Sequence, residues 1–136
     1  MKKTILIFSI LIAGITSLSG QKLYSGEWEA DSYFTTFKGS WTIEKEGDKT
    51  YVIMGDNFST KKAPDLKIYF SKLDFDDVDE DNANSKDTSV FVAKLNSYKG
   101  AKKYEVPAGI DISAYKTIPV HCVKYTKYWG GSPLKK

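Results

Sequence analysis

Trp41-Thr42-Ile43-Glu44-Lys45-Glu46-Gly47-Asp48-Lys49-Thr50-Tyr51-Val52-Ile53-Met54 decides the fold class. Apolar and polar residues alternate from Trp41 to Glu44, Gly47-Asp48-Lys49 supplies turn chemistry, and a β-branched and aromatic run follows from Tyr51 to Met54. Successive side chains of a strand point to opposite faces, so alternation on both sides of a glycine-containing turn predicts a β-hairpin. Working outward, the same period-two pattern predicts strands over Leu66 to Phe70, Val90 to Leu95, Tyr104 to Val106, Thr117 to Tyr125 and a weaker one over Glu27 to Ala30. Helical periodicity is nearly absent. Short strands separated by Gly, Pro, Asn and Asp at fairly even spacing predict an all-β chain folded as a single antiparallel β-sandwich over 21–136, with a barrel-like closure as the alternative.

The N-terminus reads differently. Lys2 and Lys3 precede an apolar stretch from Ile5 to Ala13, with small residues at Ser17, Ser19 and Gly20, which is the pattern of a secretory signal over 1–20. The stretch is too short for a membrane anchor, and no cysteine follows to carry a lipid, so a mature chain without a transmembrane segment is expected in the periplasm or outside the cell. Setting aside Lys2 and Lys3 leaves 18 Lys against 17 Asp and Glu, a formal charge of +1. Neither nucleic acid nor a membrane is expected to attract the molecule as a whole. Every basic residue is Lys; the absence of Arg removes the bidentate fork typical of base and phosphate recognition, so no nucleic-acid partner is expected.

Two further features concern sites. Between predicted strands, Asp74-Phe75-Asp76-Asp77-Val78-Asp79-Glu80-Asp81 and Asn82-Ala83-Asn84-Ser85 form an acidic loop. It lacks the glycine that an EF-hand needs for its sharp turn, so it reads as a solvated surface insertion that folding could dispense with. Cys122 is the single cysteine and His121 the single histidine. A lone cysteine in an exported chain is either buried and inert, paired to another molecule, or kept for chemistry. Within a strand from Thr117 to Tyr125, Val120, Cys122 and Lys124 share one face while His121, Val123 and Tyr125 share the other. His121 is therefore directed away from Cys122 and cannot act as its base, whereas Lys124 could favour a thiolate if both lie near the surface. One histidine supports neither a serine–histidine–acid set nor a multi-histidine zinc site, so no metal residues are assigned and a hydrolase is the least favoured class.

Several patches occur in a fixed order: Gly39-Ser40-Trp41-Thr42-Ile43, Pro64-Asp65-Leu66 entering a strand, Lys99-Gly100 followed by Tyr104-Glu105-Val106-Pro107, Val120-His121-Cys122, and Tyr128-Trp129-Gly130-Gly131. Together they resemble the DM-thirteen domain family, a secreted all-β module found in animals beside DOMON domains and membrane cytochromes. The likeness spans nearly all of the mature chain. It departs from the family pattern at His121, where a tryptophan usually precedes the cysteine, and at Ser132-Pro133, where a small residue is usual. The resemblance implies that Cys122 is the family's characteristic cysteine and serves electron transfer, as a bare redox thiol or as a ligand to a prosthetic group such as haem. Haem would need Cys122, His121 or Met54 as an axial ligand, and no Cys-x-x-Cys-His motif is present to attach it covalently. The bare thiol, acting with a redox partner protein, is the favoured expectation.

The competing expectation is a non-catalytic secreted module that binds glycan, peptide or an envelope partner through its aromatic and acidic loops while Cys122 merely packs. Under both readings Trp28, Trp41 and Trp129 are expected in core or rim positions rather than stacked on a ligand, and Tyr128-Trp129-Gly130-Gly131 reads as an aromatic-glycine turn.

Overall fold

The computed structural model describes residues 20–136, so the expected signal up to Ser19 lies outside the described residues. Nine strands follow in order: β1 Gln21–Glu27, β2 Glu29–Ala30, β3 Ser40–Glu46, β4 Lys49–Met54, β5 Leu66–Ser71, β6 Ser89–Lys94, β7 Lys102–Glu105, β8 Thr117–Cys122 and β9 Lys127–Pro133. They form two antiparallel sheets, one ordered β1-β3-β4-β7 and the other β2-β9-β8-β5-β6. Both sheets keep free edges, so the architecture is the sandwich and not the barrel. Two single 3-10 turns, Phe75–Asp77 and Ile112–Ala114, are the only helical elements among the described residues.

The diagnostic hairpin forms as its alternation requires: Trp41 pairs with Met54 and Ile43 with Val52, while Gly47 turns the chain at φ +63°. Trp41, Ile43, Val52 and Met54 point inward and are fully or almost fully buried. Leu66, Ile68 and Phe70 of β5 and Ile118 and Val120 of β8 meet them from the second sheet, giving one core between the layers. Aromatic residues extend it at one end, with ring centroids 4.9 Å apart for Trp28 and Phe37, 5.7 Å for Phe37 and Phe58, and 5.7 Å for Trp28 and Trp41. All three tryptophans lie inside, at the positions expected of rigid apolar filling.

Three elements differ from the sequence expectation. The weak strand predicted over Glu27 to Ala30 is two strands, with β1 ending at Glu27 and β2 reduced to Glu29–Ala30. β1 is an edge strand that buries only Tyr24 and carries an irregularity between Lys22 and Tyr24, so it has little hydrophobic alternation to read. The strand predicted from Thr117 to Tyr125 ends at Cys122, because Val123 to Thr126 make a turn with Thr126 at φ +48°. The supposed aromatic-glycine turn is strand β9, buried on both faces.

β9 also shows why its residues disguise a strand. Val120 pairs with Gly130 and His121 with Tyr128, so Trp129 is the extra residue of a bulge. A bulge places two neighbouring residues on one face, here Trp129 and Gly130 toward the core, which breaks the period of two. The β5–β8 ladder lapses opposite Pro119, which has no N–H to donate.

Candidate functional site

Cys122 closes β8 at one end of the second sheet. Its backbone pairs with Leu66 of β5 and Lys127 of β9, and the next residue, Val123, donates its N–H to the Asp65 carbonyl at 3.0 Å. The alternation of β8 sends the sulfur inward with Ile118 and Val120, where it is a free thiol with 0% exposure. An oxidant, a probe or a second thiol must touch the sulfur to react with it, so the closed fold holds Cys122 out of reach. Lys124 lies beyond the end of the strand in an exposed turn, and the strand face that was to align it with Cys122 does not extend to it. Tyr125 beside it is 63% exposed.

His121 takes the opposite face, as the alternation predicts, and yet is only 1% exposed. The acidic loop covers it. This corrects the reading of that loop as a solvated surface insertion. Val78 and Ala83 insert against Tyr128, with Leu73 alongside, forming a second apolar cluster on the outer face of the sheet. Local polar bonds shape the loop for this: Asp79 Oδ1 accepts from the N–H groups of Asp81 and Asn82, and Asn82 Nδ2 donates to the Asp77 carbonyl. Like charges raise the loop's solubility, but two small apolar side chains and a set of side-chain-to-backbone bonds decide its position.

The His121 ring Nε2 lies 3.1 Å from the Glu80 carbonyl, which can only accept, so Nε2 carries the proton and Nδ1 is bare. Nδ1 has no partner in this buried setting, and neither does the hydroxyl of Tyr128, which sits directly across the ladder from His121. Burial holds the His121 imidazolium below its ordinary range, partly offset by the Glu80 carbonyl and carboxylate. Burial also raises the Tyr128 hydroxyl, with Asp31 and Glu29 adding to the effect. The signals for Tyr128 and Glu80 as neighbours of His121 were absent from the sequence, because both depend on a bulge and on a long-range loop contact.

A pH dependence follows. As pH falls below about 6.5, the unfolded chain binds a proton at His121 that the folded protein resists, so the stability held above that pH is lost. The slope persists until the folded imidazole itself titrates. Urea unfolding between pH 8 and pH 5 should show this slope in the native protein, and His121→Gln should flatten it.

The residues implied for a prosthetic group do not fit one in this arrangement. Cys122 and His121 point to opposite faces of the same strand and cannot ligate one centre. Cys122 and Met54 are both at 0% exposure within the close-packed core. Among the described residues, the surface hollows around Ile110, Tyr115 and Thr36 are lined by none of these three.

A family model described as Electron transfer DM13 matches residues 30–134, from β2 through β9, and so includes both Cys122 and the covering loop. No curated protein and no solved structure matches the chain.

Proposed function

Since this chain belongs to the Electron transfer DM13 family, which gives it a redox-related role, we propose that it is an exported accessory domain whose working group is the thiol of Cys122. The observation that carries this reading is the placement of the sulfur: buried, unpaired, and on the last residue of a strand beside an exposed turn. Strand ends open locally at far lower cost than strand centres. Release of the Val123–Asp65 backbone bond and of the turn to Thr126 would bring the sulfur to solvent while the rest of the sandwich stays folded.

One cysteine cannot form a disulfide within the chain, so its chemistry is an exchange with another molecule. The Cys122 sulfur attacks one sulfur of a partner disulfide, a mixed disulfide forms, the partner's own S–S bond breaks, and its second sulfur leaves as a thiol carrying the proton that Cys122 gave up. Cys122 is oxidised and the partner's leaving sulfur is reduced. A second thiol reverses the step. Burial then works as protection, keeping the sulfur from adventitious oxidation between encounters.

Incubation of the folded protein with excess oxidised glutathione tests the reading. A single glutathione adduct on Cys122, reversed by reduced thiol and absent from Cys122→Ser, is the expected result; no adduct under native conditions would count against it. The second reading, a non-catalytic binding module, is favoured by two large aromatic side chains held in solvent, Tyr33 and Phe34.

A further inference from the structure

The loop between β2 and β3 carries the two most exposed large apolar side chains of the described residues, Tyr33 at 89% and Phe34 at 72%. Their rings meet edge to face with centroids 5.7 Å apart. The loop beneath them is anchored rather than loose. Asp31 donates its N–H to the Trp129 carbonyl, and the buried Thr35 hydroxyl donates to the Ser32 carbonyl. The Thr35 carbonyl accepts from the Lys61 N–H and the Thr60 hydroxyl, and Thr60 in turn accepts from the Trp129 indole at 2.7 Å. Phe37, two residues on, is fixed in the aromatic core. Exposed aromatics on a held loop are a surface the fold presents, because the same apolar area would otherwise gain by turning inward.

Basic side chains outnumber acidic ones next to this pair, the exposed carboxylates of the preceding segment being Glu29 and Asp31. Lys38 lines the same hollow of about 450 Å³ as Tyr33 and Phe37. Lys38, Ser59 and Lys99 lie side by side on neighbouring chain segments, and residues directly opposite in antiparallel pairs share a face, so Lys38 and Lys99 project together. Lys61 and Lys62 continue the exposed basic surface next to Thr35. None of these four ammonium groups has a carboxylate within 4.0 Å among the described residues, whereas Lys49, Lys67, Lys94, Lys103 and Lys116 do. Asp31 is the one carboxylate lining the hollow. The acidic residues of 74–81 are instead gathered on the loop over the second sheet.

We infer that Tyr33, Phe34, Lys38, Lys61, Lys62 and Lys99 form a docking surface for a lipid bilayer bearing anionic headgroups. A bilayer is the occupant that suits both halves of the patch. Tyr and Phe rings settle at the boundary between headgroups and acyl chains, and lysines beside them meet lipid phosphates as unforked point charges, for which the lack of Arg is no handicap. The surface would hold the domain at a membrane, and it does not depend on the reading of Cys122.

Co-sedimentation with vesicles tests the inference. The purified protein should bind phosphatidylcholine vesicles containing about 30 mol% phosphatidylglycerol about tenfold better than pure phosphatidylcholine vesicles, and added salt should weaken the binding. Any binding through the apolar segment from Ile5 to Ala13 is common to every variant. The doubly substituted Tyr33→Ser, Phe34→Ser protein and the Lys38→Glu, Lys61→Glu protein should each lose most of the preference. Because all four side chains are exposed, the melting temperature should stay unchanged. Equal binding to both vesicle types, or unaltered binding by either variant, would overturn the inference. Concentration-dependent self-association abolished by Tyr33→Ser, Phe34→Ser without vesicle binding would also overturn it, assigning the patch to a second copy of the chain.

Discussion

Ala83→Asp should destabilise the fold by about 3 kcal/mol, a large change for a residue in an acidic loop. Ala83 has 0% exposure and packs with Val78 and Tyr128 over the outer face of the second sheet. A carboxylate there has two costly outcomes. It stays buried and must take up a proton to avoid an unpaired charge, or it drags the loop into water and exposes Val78, Tyr128 and His121. Replacing 75–84 by a short Gly-Ser link should lose stability of the same order, whereas a solvated insertion would leave the melting temperature nearly unchanged. Chemical denaturation of both variants distinguishes the cases, with Asp81→Ala, on the exposed side of the loop, as a control expected to stay within about 0.5 kcal/mol.

Gly130→Val should cost about 3 kcal/mol or prevent folding. A Cβ at Gly130 would lie 2.5 Å from the Glu29 carbonyl oxygen and 2.6 Å from Phe37 Cδ1, and 3.1 Å from the Ala30 Cα. Two of these atoms are backbone of the paired strand β2, so a rotamer change cannot relieve the clash. Gly131 is closed from the other side, with the Tyr128 hydroxyl at 2.7 Å and the Ile118 carbonyl oxygen at 2.9 Å from its would-be Cβ. The adjacent glycines are thus demanded by close approach on the two faces of a buried strand rather than by a turn. Gly47→Ala offers the contrast: nothing lies within 4 Å of its would-be Cβ, and its cost should come only from the positive φ, about 1 kcal/mol.

These two sites mark where the sequence was legible and where it was not. Strands with one face in the core and one in water, such as β3 and β4, declare themselves by alternation, and the face assignment of Cys122 and His121 followed from the same rule. β8 alternates correctly, but burial of both its faces depends on a loop about 40 residues earlier in the chain folding over it. Local pattern cannot show that. The loop's cover rests on Val78 and Ala83, two small apolar residues outnumbered by the acidic residues around them, so composition spoke for solvent. β1 was hidden by its edge position and β9 by its bulge and glycines. The candidate site was legible as a residue, Cys122, and as a face opposite to that of His121; that this face is the core, and that the sulfur is fully closed in, was not, because the end of β8 and the turn to Thr126 depend on backbone pairing with Asp65 and Lys127.

The account stands on Cys122 being reachable by local opening of the strand end while the sandwich remains folded. The most direct measurement is the rate at which the sulfur reacts with a thiol probe as urea is raised from zero toward the unfolding transition. Local opening exposes little surface, so the rate should be measurable without urea and nearly flat at low concentrations, joining the steep global line only near the transition. A rate that falls on the global unfolding line at every urea concentration would mean that Cys122 is exposed only when the whole domain unfolds, and would contradict its proposed role as an exchangeable thiol.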